Sequence, residues 1–327
     1  MAEEKQLGDI LKKMNKKYGA GSVSIINEKD ERGNVEAEPT NCYSLDNIMG
    51  CGGLPKGRVI ELFGNPSGGK STMALYFIAQ VQKRGGTAAF IDAEFCFSSD
   101  YAKQIGVDVN KLILSQPTCG EEALDVAENL IKSGEVNMIV VDSTAALVPE
   151  KELLGNIEDV QVAMQARLLS KGLRKITGEL SKSKTIIIFI SQLRDKLSFS
   201  FAGPSKDSTG GNAIKFYSSI RLKIDKIKTH KSKDVVVGNR LKIEAVKNKV
   251  GFPFRSCEID LMFSKGIDVN GDFLDSGTKA GIIKKEGFTY SYGKDKLGTS
   301  REASKEFLGS NPKILSEIKK KLMALQD

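Results

Sequence analysis

Residues 58–82 read RVIELFGNPSGGKSTMALYFIAQVQ, a predominantly apolar stretch interrupted by a glycine-rich segment. The apolar run at residues 58–63 predicts a buried strand, and residues 73–82 predict the helix that follows. Between them, residues 64–71 match the pattern G-x-x-x-x-G-K-[ST] in full. Glycines let such a loop wrap tightly, so that its backbone N–H groups and the positive end of the next helix face one anion. The stretch therefore predicts a phosphate-binding P-loop.

The side chains of this loop indicate ATP and Mg²⁺ as cofactors. Lys70 is placed to reach the β- and γ-phosphates, and the hydroxyl of Ser71 is a Mg²⁺ ligand. Asp142 ends the apolar run MIVV and is interpreted as orienting Mg²⁺ through water, although an Asp-Ser pair after a strand could also cap a helix. The predicted cofactor-binding residues are Gly64, Asn65, Pro66, Ser67, Gly68, Gly69, Lys70, Ser71, Thr72 and Asp142.

Glu94 is the candidate for the group that aligns or activates the attacking water. It follows the second apolar run, in FIDAE. An acidic residue at the carboxyl edge of a parallel strand faces the ligand crevice of such a sheet. Position alone leaves this interpretation and that of a solvated surface glutamate about even.

The pattern along the chain predicts an α/β fold with a mostly parallel central sheet. Continuous β-branched runs are typical of strands that are buried on both faces by helices. Besides residues 58–63, the predicted strands cover residues 88–91, 112–114, 138–141 and 185–190. Residues 219–227 and 241–247 alternate and predict an antiparallel extension.

The two ends of the chain predict smaller parts. Leu7, Ile10, Leu11 and Met14 fall on one helical face, which has no partner within its own segment and must pack on the main body or on a neighbouring molecule. We interpret residues 1–31 as an N-terminal oligomerisation segment. Residues 32–267 form the predicted ATPase core, and residues 268–327 form a small α+β domain that ends in a helix at 311–325.

Composition excludes several classes of protein. No apolar run reaches the ~18–20 residues of a membrane span, and no secretory signal precedes the core, so we expect a cytoplasmic protein. The five cysteines are scattered without a CxxC pair, which argues against disulfides or a zinc site. The single histidine, His230, is expected at the surface. The net charge of +8 weakly favours a polyanionic partner such as nucleic acid.

Ordered matches from about residue 45 to residue 254 resemble the RecA family of bacterial strand-exchange recombinases. They are SLDNIMGCGGLPKGRVIELFG, AFIDAE, LILSQP, IVVDSTAALVP, IFISQLR, TGGNAIKFYSSIRL and VKNKVGFPF. The resemblance implies a DNA-dependent ATPase that forms helical filaments on single-stranded DNA and exchanges strands with double-stranded DNA. It also implies stimulated self-cleavage of a LexA-like repressor in the SOS response.

The resemblance further implies roles in the nucleotide site. Glu94 would activate water, Gln192 would sense the γ-phosphate, and Tyr101 would stack on adenine. Lys247 and Lys249 would reach the ATP of the neighbouring subunit as trans-acting cations. Lys215 and Phe216 would belong to the subunit interface, although Phe216 could equally be a core aromatic residue.

Two loops would carry DNA, around residues 155–163 and 193–211. The second is polar and is expected to be a mobile segment, with a plain surface loop as the alternative. Backbone N–H groups and arginines hold phosphates without reading sequence. The residues that match DNA-binding positions of the family are Val162, Arg167, Arg174, Lys196, Leu197, Gly210, Gly211 and Asn212.

The sequence departs from familiar relatives at five places. The P-loop interior is NPSGG, and the stretch after Glu94 is FCFSSD. Asp225 and Glu244 stand where familiar members carry basic residues of the secondary DNA site, which predicts weaker capture of the incoming duplex. The sequence ends at LMALQD without an acidic tail, which predicts freer nucleation on double-stranded DNA.

Two other functions remain open at this point. A RecA-fold regulator would bind ATP and a protein partner without exchanging strands, and it need not keep both the TGGN loop and the VKNK lysines. A DnaB-like hexameric helicase shares the core fold but normally brings a different N-terminal domain.

Overall fold

The structure is a computed structural model that describes residues 2–19, 22–25, 35–155, 164–196, 205–208 and 211–325. It divides into two compact units, Met1–Glu36 and Ala37–Asp327. In the first unit, helix α1 spans Ala2–Tyr18, and the Asn15 side chain donates to the carbonyl of Val23 over 2.7 Å. Leu7, Ile10 and Met14 of α1 are exposed, so the predicted packing of this face on another surface stays a prediction.

The second unit alternates strands and helices along its first half. Its strands are β1 (Ala37–Glu38), β2 (Leu54–Pro55), β3 (Val59–Gly64), β4 (Ala88–Asp92), β5 (Leu112–Ser115), β6 (Met138–Asp142), β7 (Ile186–Lys196), β8 (Ser205–Ser208), β9 (Ile220–Ser232), β10 (Val235–Asn248), β11 (Ser256–Met262), β12 (Gly266–Ile267), β13 (Lys284–Glu286), β14 (Thr289–Tyr292) and β15 (Asp295–Gly298). Its helices are α2 (Tyr43–Met49), α3 (Lys70–Lys83), α4 (Ser99–Ile105), α5 (Gly120–Ser133), α6 (Glu150–Leu154), α7 (Met164–Leu180), α8 (Gly211–Tyr217), α9 (Val269–Lys279), α10 (Arg301–Ser310) and α11 (Pro312–Met323).

Ten of these strands form one sheet in the order β12-β11-β10-β9-β3-β7-β6-β4-β5, with β8 beside β7. The six strands β9, β3, β7, β6, β4 and β5 are parallel to one another. The strands β10, β11 and β12 continue the sheet in antiparallel fashion. The predicted α/β class, the mostly parallel sheet and the antiparallel extension are therefore confirmed.

Helices bury both faces of the parallel strands, which is why the strand sequences are continuously apolar. One core packs α2, α3 and α4 on the sheet, and the largest buried side chains there include Phe77 and Met73. The other core packs α5, α7 and α8 on the opposite face, around Leu173 and Phe189. Because helices cover both faces of the sheet, the carboxyl ends of the parallel strands are left uncovered.

The C-terminal part has its own apolar cluster around Leu274, Leu308 and Leu322. It combines α9, α10 and α11 with the antiparallel sheet β13-β14-β15, which confirms its α+β character. Its contacts group it with the core in one unit, so the predicted boundary at residue 268 stays a prediction. Along the described part of the chain, no helix is long and apolar enough to span a bilayer.

Buried ion pairs connect β9, β10 and β11 to α9 and α10. Asp260, whose side chain is 2% exposed, forms an ion pair with Arg301 at 2.6 Å and accepts a hydrogen bond from Arg240 over 3.2 Å. It also lies 2.8 Å from Nε2 of His230. His230 is therefore not the plain surface residue expected from the sequence, because its ring is half-buried against a carboxylate.

Candidate functional site

The candidate nucleotide site lies where four parallel strands end. In the sheet register, Gly64 on β3 is beside Gln192 on β7, and Asp142 on β6 is beside Asp92 on β4. Because these strand ends are neighbours, residues far apart in sequence share one cavity of about 480 Å³. The cavity is lined by Pro66, Ser67, Gly68, Gly69, Lys70, Ser71, Thr72, Glu94, Asp142, Ile190, Gln192, Asn239 and Phe263.

The loop from Gly64 to Ser71 has the backbone that its glycines permit. Gly69 has φ 88°, in the left-handed region that favours glycine. A Cβ on Gly64 would come within 2.2 Å of the carbonyl oxygen of Ile224 on β9. The departures at Asn65 and Pro66 leave Gly64 and Gly69 in place, and α3 begins directly after Gly69, at Lys70.

Lys70 points back into the loop. Its Nζ donates to the carbonyl of Asn65 over 2.8 Å and to that of Gly64 over 3.3 Å. Burial lowers the pKa of Lys70, while the charges of Asp142 and Glu94 act in the opposite direction. The ammonium group therefore lies inside the cradle where phosphate oxygens would be bound.

Ser71 and Asp142 meet across the site. The Ser71 hydroxyl donates to Oδ2 of Asp142 over 2.5 Å. Burial raises the pKa of Asp142 to about 6, and Glu94 adds to this shift while the Ser71 hydrogen bond opposes it. The helix-cap interpretation of Asp142 is wrong, because the short 3₁₀ turn Thr144–Ala146 is preceded by Ser143 and has no side-chain cap.

This pair of oxygen donors fits Mg²⁺. The ion takes hard oxygen ligands, keeps several waters and uses only one or two protein groups beside substrate phosphates. Ser71 and Asp142 supply a hydroxyl and a carboxylate at the start of the phosphate-binding helix. Within the described residues, no group of three His, Cys, Asp or Glu side chains forms a separate metal site.

Glu94 and Gln192 come together on the other side of the cavity. The carboxylate Oε1 of Glu94 accepts from Nε2 of Gln192 over 3.3 Å and from the hydroxyl of Ser143. Glu94 is exposed, yet its carboxylate has two protein partners at the site. The structure thus brings both predicted residues together in the lining of this cavity.

Tyr101, one of the predicted residues, stands beside the cavity rather than in its lining, whereas two residues that sequence reasoning missed do line it. Tyr101 on α4 hydrogen-bonds through its hydroxyl to Thr72 over 2.7 Å, so it stands beside the first turn of α3. Asn239 on β10 and Phe263 after β11 also line the cavity. They lie far from the P-loop in sequence, and nothing in their local pattern could have singled them out.

The two lysines of the VKNK stretch lie away from this cavity. Lys247 donates from Nζ to the carbonyls of Lys215 and Phe216 over 2.5 and 3.1 Å, and Lys249 approaches the Phe216 carbonyl at 3.5 Å. These carbonyls form the end of α8. Phe216 is 71% exposed, which excludes the core alternative for its ring.

The predicted DNA-binding residues are only partly described. Arg167 and Arg174 are exposed on α7, and Asn212 is exposed near the start of α8, which begins at Gly211. Val162, Leu197 and Gly210 lie outside the described residues. Lys196 ends β7, where its backbone pairs with Ser205 of β8. The second predicted loop is therefore partly wrong, because residues 193–196 and 205–208 form an antiparallel ribbon.

Arg167 also borders a groove of about 770 Å³ between α5 and α7. Lys171 and Lys175 stand on the same side of this groove, and Glu121 and Asp125 stand on the other. The basic side belongs to α7, where Arg167, Lys171 and Lys175 recur four residues apart along one face. This face gives α7 a stripe of cations beyond the two arginines singled out in the sequence.

A phosphate-binding loop between a buried strand and a helix, on a sheet of this order, defines a P-loop ATPase with a RecA-type core. A family model described as the RecA N-terminal domain matches residues 5–268, and one described as the RecA C-terminal domain matches residues 271–326. The chain therefore belongs to the RecA family.

Several curated relatives are similar along nearly the whole chain. Protein RecA of Nautilia profundicola is 48% identical over 320 residues, which is 98% of this chain and 91% of that protein. Protein RecA of Clostridium novyi is 48% identical over 97% of this chain and 90% of its own. Protein RecA of Lactobacillus johnsonii is 46% identical over 98% of this chain and 88% of that protein.

Membership of this family settles the general activity. The chain is a DNA-dependent ATPase that acts in homologous recombination and DNA repair by strand exchange. It binds a nucleotide and DNA, and it forms filaments.

Proposed function

We propose that ATP, bound with Mg²⁺, is the assembly switch of the filament, and that each nucleotide site is completed by the neighbouring subunit. The observation that carries this proposal is the position of Lys247 and Lys249. The Nζ atoms of both lysines approach the carbonyl end of α8, and neither residue lines the chain's own P-loop cavity. Cations kept outside their own site are available to stabilise charge on the phosphates of another.

Within one subunit, the P-loop residues divide the work. Lys70 and the loop N–H groups would bind the β- and γ-phosphates, while Ser71 and Asp142 would hold the metal ion, Asp142 through water. Bound Mg²⁺ would offset the negative charge of the phosphates. Glu94 orients and deprotonates the attacking water, and Gln192 beside it responds to the γ-phosphate.

The base would lie toward Tyr101, Asn239 and Phe263. Tyr101 is held by Thr72, the residue next to the metal-binding hydroxyl. An aromatic ring beside the first turn of α3 would provide a stacking surface for a base. The changed stretch after Glu94 leaves this ring in contact with α3, which supports binding of adenine.

Single-stranded DNA would be held through its backbone on the side where α7 and α8 begin. Arg167 and Arg174 are exposed on α7, and the N–H groups of Gly211 and Asn212 begin α8. Contacts of this kind hold any sequence, as strand exchange requires. The parts assigned to Val162, Lys196, Leu197 and Gly210 rest on the resemblance of the sequence alone.

We also propose three finer points that family membership supports. The filament on single-stranded DNA would engage double-stranded DNA as the second substrate. It would stimulate self-cleavage of a LexA-like repressor in the SOS response. The chain would act in the cytoplasm, where a bacterial-type recombinase meets its DNA.

The test is ATP hydrolysis measured with and without single-stranded DNA, together with electron microscopy of the same samples. We expect strong stimulation by DNA and helical filaments that require nucleotide. Glu94→Gln should retain binding of ATP with Mg²⁺ and form filaments but hydrolyse slowly, because only the water-activating carboxylate is changed. Hydrolysis without DNA stimulation and without filaments would instead favour a RecA-fold regulator.

A further inference from the structure

A row of three charged side chains crosses β3, β9 and β10 directly before the P-loop. In the sheet register Glu61 on β3 lies beside Arg221 on β9. Arg221 in turn lies beside Lys247 on β10. Phe63 and Gly64 end β3, so the row begins on the strand that leads into the phosphate cradle.

Two contacts fix Arg221 to this strand. Glu61 is fully buried, and one of its carboxylate oxygens accepts from Nε of Arg221, while the other is buried without a hydrogen-bond partner. A buried carboxylate in this position depends on its cation. The guanidinium of Arg221 also lies 4.5 Å from the centroid of the Phe63 ring.

Arg221 affects where the ammonium of Lys247 can lie. Like charges opposite each other on neighbouring strands repel. This repulsion disfavours a conformation in which the Lys247 side chain lies on the sheet beside Arg221. Its Nζ instead contacts the carbonyls of Lys215 and Phe216, and Lys249 approaches the same helix end. Burial lowers the pKa of Lys247, and the charges of Lys249 and Arg221 lower it further. The negative end of α8 offsets this repulsion.

We propose that Arg221 is a positioning residue that links the strand entering the P-loop to the two lysines offered to the neighbouring subunit. The inference rests on the proposed function, in which Lys247 and Lys249 complete the neighbour's site. In this proposal, a shift of Phe63 and Glu61 moves the guanidinium of Arg221. That movement in turn changes whether the Lys247 ammonium contacts the α8 carbonyls or the ATP of the neighbouring subunit. Each subunit's own nucleotide site is thereby coupled to the site that it completes.

Two conservative variants test this link. Phe63→Leu removes the ring beneath the guanidinium and keeps an apolar side chain. Arg221→Lys keeps the positive charge and loses the planar contact. On single-stranded DNA, we expect the ATP dependence of hydrolysis to lose cooperativity, with a Hill coefficient near unity and a several-fold higher half-saturating concentration. Binding of a fluorescent ATP analogue with Mg²⁺ to the DNA-free chain should be unchanged.

A double-mutant cycle separates positioning from a general structural role. If Arg221 acts through Lys247, adding Arg221→Lys to Lys247→Ala causes no further rise in the half-saturating ATP concentration. Additive rises, or a parallel loss of analogue binding in the DNA-free chain, would overturn the proposal. Lys231→Ala is the matched control, because this exposed cation lies on the same strand, outside the row.

The outcomes remain distinguishable from failure of the proposed function. Unchanged cooperativity in both variants, on a wild type that hydrolyses ATP cooperatively, would contradict the role of Arg221 alone. A wild type without cooperative, DNA-dependent hydrolysis would contradict the proposed function and this inference with it. Thermal unfolding checks the fold of each variant, and Phe63→Leu carries the test if Arg221→Lys does not fold.

Discussion

At the scale of single residues, the site depends on charged groups that are buried before any ligand binds. Burial lowers the pKa of Lys70 and raises that of Asp142, and both shifts show that burial disfavours the charged forms. A phosphate and its metal ion would supply the opposite charges. The nucleotide is therefore expected to stabilise this part of the chain by mass action as well as to be its substrate.

Lys70→Ala should abolish ATP-dependent activity. The change removes the only ammonium group among the residues that line the described cavity, and we expect hydrolysis to fall by about a hundredfold or more. Steady-state hydrolysis with single-stranded DNA measures the effect. Lys132→Ala, on the exposed side of α5, is the control and should hydrolyse ATP at the wild-type rate.

Asp46 provides a prediction on pH that is independent of the nucleotide site. Burial raises its pKa to about 7, although hydrogen bonds from the Thr40 backbone and hydroxyl lower it. Between about pH 4 and pH 7 the folded chain therefore holds a proton that the unfolded chain releases. The free energy of unfolding should decrease as the pH rises through this window.

Asp46→Asn should remove this dependence. Its Oδ1 can still accept both Thr40 hydrogen bonds, while the carboxylate charge is absent. We expect roughly 2 kcal/mol of the pH-dependent change to disappear, allowing for solvent near a half-buried side chain. Urea unfolding at pH 5 and pH 8 measures it. The same pH dependence in the variant and the wild type would contradict the assignment to Asp46.

At the scale of elements, the sequence predicted those strands, helices and loops that are determined by the local pattern of residues. The apolar runs of β3, β4, β6 and β7 and the P-loop between β3 and α3 are local features, so their existence and order were predictable. The extension of β7 to Lys196 was not, because it depends on pairing with β8. Asn239 and Phe263 reach the cavity only through the antiparallel extension, which no local pattern aligns with the P-loop.

The reversed charges on β9 and β10 are neutralised by neighbours on the same face. Asp225 pairs with Lys223 over 2.7 Å and lies beside Lys242 in the register, while Glu244 lies beside Lys223. Arg240, another cation on β10, forms ion pairs with Glu258, Asp260 and Asp275. This face therefore alternates in charge, which supports the prediction of weak duplex capture.

Asp225→Arg combined with Glu244→Lys should strengthen capture of duplex DNA by preformed filaments several-fold. The affinity should also become more salt-dependent, by about 0.9 in the log–log slope for each new phosphate contact. Glu135→Lys, exposed just after α5, controls for added charge elsewhere. Equal duplex affinity in the double variant and the wild type at matched salt would contradict the prediction that Asp225 and Glu244 weaken duplex capture.

At the scale of the whole molecule, several side chains that are exposed outside the core are of the kind that a filament interface requires. Phe216 is exposed beside the carbonyls that hold the two lysines, and α1 keeps an exposed apolar face. The P-loop cavity contains the loop itself, the oxygens of Ser71 and Asp142 that we propose bind Mg²⁺, and the Glu94–Gln192 pair that we propose activates water, but Lys247 and Lys249 do not line it. The sequence indicated this division only through the family resemblance, because separation in space cannot be read from spacing in the chain.

The most direct test of the composite site mixes two inactive variants. Lys70→Ala has a defective P-loop but intact lysines, and the double variant Lys247→Ala with Lys249→Ala has the reverse. In a mixed filament, some interfaces join an intact P-loop to intact lysines. We predict that the mixture hydrolyses ATP on single-stranded DNA clearly faster than the sum of the separate variants. Hydrolysis no greater than that sum, with both variants shown to be incorporated in the same filaments, would contradict a site completed in trans.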